Sequence, residues 1–289
     1  YYKGERGNKP FDLELMLRIY ILQNLYNLSD MGAQQEIIDA RSFSAFYRVE
    51  SSNQIPNGDT IGRFRNLLIR HKLQEKIFAL LEQTLRAEGL LLQKGTIVDS
   101  TLIAAPSSTK NREKKRDEEA HQVKKGNNWY FGYKAHVGVD QDSGLVHHVE
   151  VTAANVHDVS MTSRLLHGAE KEVHGDSGYQ GAEKREDAVT VNEAGEAIEY
   201  RINMRPSSIE KASVGGSEEE QANIRMKEKS KSSVRAKVEH VFAMIKGTFK
   251  YRKTRYRGLS KQTATLHMLF ALANLVLMDR RRQRFVCCA

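Results

Sequence analysis

Gly95-Thr96-Ile97-Val98-Asp99-Ser100-Thr101-Leu102-Ile103 is short, β-branched and apolar on both sides of its one acid, the composition of a central strand. Asp99 therefore stands where a lone charge is costly and calls for a cation beside it. Before this strand, residues 11–88 repeat apolar side chains at three- and four-residue steps, as in Leu13, Leu17, Ile21 and Leu25 and again in Leu73, Ile77, Leu80, Leu81 and Leu85. That is the helical period. Asp12, Ser29 or Asp30, and Asp59 serve as N-caps and Gly89 as a stop, for a compact domain of four helices. The helix opened by Asp59 sets Arg63, Arg65, Arg70, His71 and Lys72 beside Ile61, Phe64, Leu67 and Leu68, a composition suited to a helix-turn-helix laid on DNA and equally to an amphipathic helix with a solvated basic side.

After the strand, 106–128 is a polar run read as a flexible or DNA-facing loop. Residues 129–139 and 145–152 flank the turn Asp140-Gln141-Asp142-Ser143-Gly144 and form an antiparallel hairpin. A helix is expected near Asp158, and Glu172-Val173-His174-Gly175-Asp176 is the next strand end. The stretch 205–233, with Pro206, Gly215-Gly216 and Glu218-Glu219-Glu220, is poor in apolar residues and reads as an insertion or mobile loop. A helical period resumes over 234–249, and 263–278 gives a last apolar helix.

Composition bounds the function. The 289 residues, 40% hydrophobic, suffice for one sizeable core and a smaller accessory domain. Lys plus Arg exceed Asp plus Glu by 45 to 36, which favours a polyanionic partner, with basic runs at 110–116, 227–237, 246–257 and 280–284. Cys287 and Cys288 are the only cysteines and form no disulfide framework. The apolar stretch 266–278 is too short to span a bilayer and no signal-peptide pattern is present, so a cytoplasmic protein is expected. The chain opens at Tyr1, and the natural start is expected upstream.

Asp99 in one strand and Asp176 at the end of another, before the turn Ser177-Gly178-Tyr179-Gln180-Gly181, offer hard oxygen donors suited to Mg²⁺ or Mn²⁺. On the later helix, Val234, Val238, Phe242, Ile245 and Phe249 mark the buried stripe. Arg235, Glu239 and Lys246 fall within roughly 40° of one another at its edge, given about 100° per residue. A surface ion pair of Arg235 with Glu239 is the plainer account of the same spacing. His147, His148, His167 and His174 share no ligand spacing with Cys or Glu, so structural or surface roles are expected.

Several segments resemble one family: 15–30 (LMLRIYILQNLYNLSD), 59–68 (DTIGRFRNLL), 95–110 (GTIVDSTLIAAPSSTK), 124–136 (KKGNNWYFGYKAH), 153–158 (AANVHD), 175–181 (GDSGYQG), 234–246 (VRAKVEHVFAMIK) and 255–259 (RYRGL). They are similar to the IS5-type transposases of bacterial insertion sequences, in the IS4/IS5 superfamily of DDE, RNase H-like enzymes. The resemblance implies that Asp99, Asp176 and Glu239 are catalytic acids and metal ligands, and that Arg235 and Lys246 are the Arg and Lys of the signature following the second acid. That signature usually opens on a Tyr three residues before the Arg, where this chain has Ser232.

The fold so implied is α/β: an RNase H-like core with a mixed sheet, its first three strands antiparallel and later ones parallel to the first, preceded by an all-α DNA-binding domain. Residues 1–90 would be the helical domain and 91–289 the catalytic domain, with a polar loop at 105–128, an insertion at about 180–232 and C-terminal helices. Two Mg²⁺ ions, with Mn²⁺ as substitute, would activate a water to cut the element's end and then the freed 3′-OH to attack target DNA. Arg63, Arg65, Trp129, Lys134, Arg235 and Lys246 would contact DNA, with Tyr130 and Tyr133 along the same strand and Asn155, His157 and Asp158 supporting the acids. The expected partners are double-stranded DNA, as terminal inverted repeats and target, and a second copy of the chain in the DNA complex. Membrane is excluded, and no phosphate-binding loop of the ATPase kind is present. The expected setting is the bacterial cytoplasm, on the nucleoid when DNA is bound. The competing readings are a catalytically decayed or domesticated DNA-binding protein and a plain RNase H-like nuclease.

Overall fold

The computed structural model describes residues 9–49, 51, 54–213 and 217–287, with side chains at 212–213 and 281–287 left out. Gly215-Gly216, Cys288 and the side chains of the basic run beyond Arg280 lie outside the described residues. Five helices precede the sheet where four were expected: α1 (Leu13–Leu25), α2 (Asp30–Asp39), α3 (Arg41–Tyr47), α4 (Gly58–Arg70) and α5 (Leu73–Ala87). Orphan N–H groups at the starts of α1, α2 and α4 are met by side chains: Asp12 accepts from Leu15 N at 3.1 Å, Ser29 from Gly32 N at 2.9 Å and Asn57 from Thr60 N at 2.8 Å. Asn57, not Asp59, is thus the cap of α4, and Asp59 lies in its first turn. Gly89, with φ +69°, turns the chain out of α5 as glycine does past a helix end.

The sheet contains β1 (Gly95–Ala104), β2 (His121–Lys125), β3 (Asn128–Asp140), β4 (Val146–Ala153), β5 (Glu172–Gly175) and β6 (Glu199–Ile202). β3 pairs antiparallel with β1 and β4, while β5 lies parallel to β1 and β6 parallel to β5. The order β4-β3-β1-β5-β6 with these directions is the expected RNase H-like arrangement, and β1 sits at its centre. β2 extends the pattern by pairing with the outer end of β3, so part of the expected polar loop is a strand. Likewise β6, α6 (Pro206–Ser213) and the first half of α7 (Glu218–Ala243) occupy the stretch read as insertion and loop. The helix expected near Asp158 is a 3₁₀-helix, Asp158–Leu165.

Residues on β1 alternate between two layers. Ile97 and Ile103 join the larger core with Val137 of β3, Val238 and Phe242 of α7, and Leu266 and Phe270 of α8 (Leu259–Cys287). Val98 faces a second core with Leu165, Val173, Tyr179 and Ile198. The larger core continues without a break into Met16, Ile19, Ile61 and Phe64 of the first helices, because α8 packs against α1, α4 and α5 as well as β4. One polar residue in this apolar helix has a clear reason: fully buried Asn274 donates to the Val146 carbonyl at 2.7 Å and accepts from Val146 N at 2.9 Å. It thereby satisfies backbone at the irregularity where β4 slips against β3 near Gly138 and Val139. Among the described residues, no helix is long and apolar enough to cross a membrane.

Candidate active site

The parallel register of β1 and β5 places Ile97 opposite His174. Two residues on in each strand, Asp99 in the middle of β1 and Asp176 just past the end of β5 therefore lie side by side, about 5 Å apart in backbone spacing. Asp99 shares the sheet face of Ile97, where α7 packs. α7 carries Val238, Val241 and Phe242 inward and leaves Arg235 half-buried and Glu239 exposed beside that stripe. At the end of α7 the chain passes into a π-helical turn, Met244–Thr248, which holds half-buried Lys246. Such turns displace a side chain from the ordinary helical position, so the regular wheel that put Lys246 at the same edge no longer applies unaltered. Lys246 still feels Glu239: burial, then Lys125, lowers its affinity for a proton, while Glu239 acts in the opposite sense.

Asp99 shows the electrostatics of the cluster. Burial raises its pKa from 3.8 to about 7, and Asp176 and Glu239 push the same way, whereas the Ser100 N–H and Arg235 oppose the rise. The Ser100 N–H donates to Asp99 Oδ1 at 2.7 Å, and the Gly178 N–H donates to Asp176 Oδ1 at 2.8 Å. Each Asp thus has one carboxylate oxygen fixed by backbone. Arg235 contributes a buried Nε with no hydrogen-bond partner. Three carboxylates and a guanidinium thus act on one another around Asp99. Among the described residues no three His, Cys, Asp or Glu side chains already stand where they could hold an ion together. The donors are of the kind a hard divalent cation takes, and their repulsion is what such a cation relieves.

Beneath the acids lies a polar scaffold on the opposite sheet face. Ser100, pointing away from Asp99, donates to Asp158 Oδ1 at 2.8 Å. Lys134 Nζ stands 3.0 Å from the same oxygen and donates to the Val156 carbonyl at 2.8 Å. His136 Nδ1 is 3.6 Å from it, its Nε2 lies 2.9 Å from Thr152 Oγ1, and burial depresses its pKa to about 4 despite Asp158, keeping the ring neutral. Tyr179 is buried close by, its phenol held protonated by burial first and then by Asp99, Asp158 and Asp176. Asp158 is thus bonded to the neighbour of Asp99. Exposed Asn155 has no comparable bond to the acids, and His157 accepts from Val159 N at 3.4 Å to cap the 3₁₀-helix. The roles of Ser100, His136 and Tyr179 went unread; the clue was a Ser beside the strand Asp, which alternation sends to the other face.

The basic residues assigned to DNA divide. Arg63 is exposed on α4 and Trp129 is 66% exposed on β3. Arg65 is buried: it donates to Asp30 Oδ2 at 2.8 Å and its guanidinium lies 3.7 Å from the Tyr256 ring centre. Lys134 is buried in the scaffold. Neither can present its charge to a phosphate in this fold, and both are withdrawn from the DNA-facing set. Arg65 belongs to a joint in which Gln23, Tyr256 and Arg65 all bond Asp30, while Arg255 bonds Asn27 and Arg257 bonds Glu113. This joint fastens the first helices to the entry of α8. The histidines also gather: fully buried His147 lies 3.2 Å from Thr96 Oγ1 with its ring 5.1 Å from that of His167, and Glu170 accepts from Thr96, His167 N and Gly168 N. Burial lowers the pKa of each of His147, His148 and His167, so this is a structural cluster of neutral rings.

Comparison with known proteins identifies the family. A solved structure, the crystal structure of the Mos1 strand transfer complex, aligns over 81% of this chain and 80% of its own at 10% identity, with a TM-score of 0.18. Residues 1–67 match a family model described as Transposase domain (DUF772). Residues 91–275, which contain all three acids and the whole sheet, match the model described as Transposase DDE domain, and the chain belongs to that family, the DDE transposases.

Proposed function

We propose that Asp99, Asp176 and Glu239 are the metal-binding acids of this transposase, and that it cuts at the terminal inverted repeats of an IS5-type insertion sequence and joins the 3′-OH ends to target DNA. DDE transposases cleave and join DNA with divalent metal ions. The observation that carries the assignment is the register that sets Asp99 beside Asp176, with Glu239 acting on Asp99 from α7. Bound Mg²⁺, as two ions with Mn²⁺ as substitute, would supply activation of the attacking oxygen and stabilisation of the leaving one. The chain's own part is placement. Asp99 and Asp176 each keep one oxygen on a backbone N–H and leave the other for a metal ion, while Arg235 and Lys246 add positive charge beside the acids. Residues 1–90, through Arg63, would hold the repeat, two copies would assemble on the paired ends, and the protein would work on the nucleoid.

The test is cleavage of labelled terminal-repeat duplex with and without Mg²⁺, run beside gel shifts. Asp99→Asn and Asp176→Asn should bind as wild type does, because contacts to phosphate elsewhere dominate affinity, and should not cut. Folded protein of either variant that cuts at the wild-type rate would overturn the assignment.

A further inference from the structure

β5 ends at Gly175, and Asp176 follows it as the cap of the short 3₁₀ turn Ser177–Tyr179. Glu239 belongs to α7, which packs on the sheet through buried Val238, Val241 and Phe242. Apolar burial is non-directional, so it leaves the helix some freedom relative to the Asp176 loop. The polar link between the two runs through Asn203. This residue stands just past the end of β6, the outermost strand on that side of the sheet.

Its main chain serves the loop. The Asn203 N–H donates to the Gly175 carbonyl at 3.0 Å, and the Asn203 carbonyl accepts from Gln180 Nε2 at 3.2 Å, so the loop is held on both sides of Asp176. Its side chain serves the helix. Asn203 Nδ2 donates to Glu228 Oε2 at 3.0 Å and lies 3.3 Å from Ser232 Oγ. Glu228 accepts in addition from Met204 N at 2.9 Å and from Lys231 Nζ at 2.8 Å. Asn203 and Glu228 are both buried, each 8% exposed, where polar groups are kept by their bonds. Ser232 precedes Glu239 by two helical turns, about 10 Å, within about 20° of the same side of α7. The amide of Asn203 thus grips the part of the helix that leads into Glu239.

We propose that Asn203 is a positioning residue for the metal site, setting Asp176 against Glu239 by bonding the loop of one with its main chain and the helix of the other with its amide. This rests on the reading that Asp99, Asp176 and Glu239 hold the metal ions. Asn203 itself touches neither metal nor DNA in this role. An acid of the same size would not replace it, because the group facing the Glu228 carboxylate has to donate, and a second carboxylate would repel it. Metal ligands set slightly out of place still bind, only more weakly, since the groups behind them fix their orientation. The signature of such a residue is a higher metal requirement with the maximal rate largely kept.

The test is single-turnover cleavage of terminal-repeat duplex by the full chain over a Mg²⁺ series, with thermal melts in EDTA, for wild type, Asn203→Ala, Asn203→Asp and Gln180→Ala. The backbone bonds of Asn203 survive its substitution. Gln180 is exposed, so Gln180→Ala cuts the link from the loop side with little buried to disturb. The half-saturating Mg²⁺ concentration is expected to rise about tenfold in the Asn203 variants and about threefold in Gln180→Ala, with rates at saturating Mg²⁺ within about threefold of wild type. A lower Tm with the wild-type Mg²⁺ dependence would give Asn203 a purely structural role and overturn the proposal. If the Asn203 variants do not fold, an unchanged Mg²⁺ dependence in Gln180→Ala overturns it instead. Asp176→Asn and Glu239→Gln separate the parent reading. Wild-type cleavage by either sinks the three acids and this proposal with them, whereas their failure to cut, beside Asn203 variants of wild-type Mg²⁺ dependence, overturns the role of Asn203 alone.

Discussion

Asp99→Asn should make the metal-free protein more stable at pH 8 and leave it unchanged at pH 4. The reason is the raised pKa, about 7 in the folded chain against 3.8 without the fold, caused by burial first and by Asp176 and Glu239 after it. Between these values the folded chain keeps a proton that the unfolded chain has released. The folded state binds more protons there, so stability falls as pH rises from about 4 to about 7 and then levels off. A difference of about 3 units at ~1.4 kcal/mol each gives a ceiling of roughly 4 kcal/mol, and about 2–4 kcal/mol is a fair range for a site open to water on one side. Asn keeps the shape and an oxygen for the Ser100 N–H but carries no charge. At about 2–4 °C per kcal/mol, its Tm in EDTA at pH 8 should exceed wild type by roughly 5–15 °C, shrinking to nothing by pH 4. Mg²⁺ should narrow the gap by raising wild type alone. The assay is thermal melting from pH 4 to 8.5 with EDTA or Mg²⁺. An Asn variant with the wild-type Tm at pH 8 in EDTA would refute the claim that Asp99 ionises against its surroundings.

Glu239→Gln should lower single-turnover cleavage by more than about a hundredfold with little change in Tm, whereas Lys246→Ala should slow cleavage yet leave metal-dependent activity, because positioning and activation are separable; an active Glu239→Gln defeats the three-acid assignment. Arg65→Ala should cost about 2–4 kcal/mol, since it strands Asp30 in a largely buried pair, and urea melts would show it. Arg63→Ala should leave stability alone and weaken repeat binding with a smaller salt slope. Equal melts for the two Arg variants would contradict the division drawn between them.

What the sequence discloses depends on whether an element has an inside and an outside. β1, the β3–β4 hairpin and β5 were legible because β-branched runs and the 140–144 turn have no other good fold. β2 was not, because a ribbon open to water on both faces has no apolar alternation to show: all but Val123 of its five residues are exposed. The first half of α7 was missed for the same cause, although Ser217 and Glu220 are a capping box, with Ser217 N donating to Glu220 at 2.8 Å. Arg65 was misassigned by composition, yet the wheel held the answer. It lies about 40° from Ile61 on the buried stripe, while Arg63 lies opposite. Lys134 gave less warning, since β3 is buried on both faces and only the 3₁₀ layer shows that its second face is covered.

The three acids proposed as metal ligands come from elements far apart in the chain, so the seating of α7 decides how Glu239 stands relative to Asp99. A helix turned by one residue would carry Glu239 through about 100° and out of the site. α7 is held against that rotation at both sides of the sheet. Toward β6, Lys231 Nζ donates to the Ile202 carbonyl at 3.0 Å and Glu228 accepts from Asn203 and Met204 N. Toward the hairpin, Lys237 Nζ reaches the Gln141 and Asp142 carbonyls at the β3–β4 turn. These pins lie on polar faces of the helix that the apolar stripe leaves unconstrained. Hydrophobic burial alone tolerates small rotations, whereas hydrogen bonds to fixed carbonyls do not. The basic run 227–237, which in the sequence resembles a DNA-binding stripe, thus spends two of its lysines, Lys231 and Lys237, on fixing the rotation of the helix that carries Glu239.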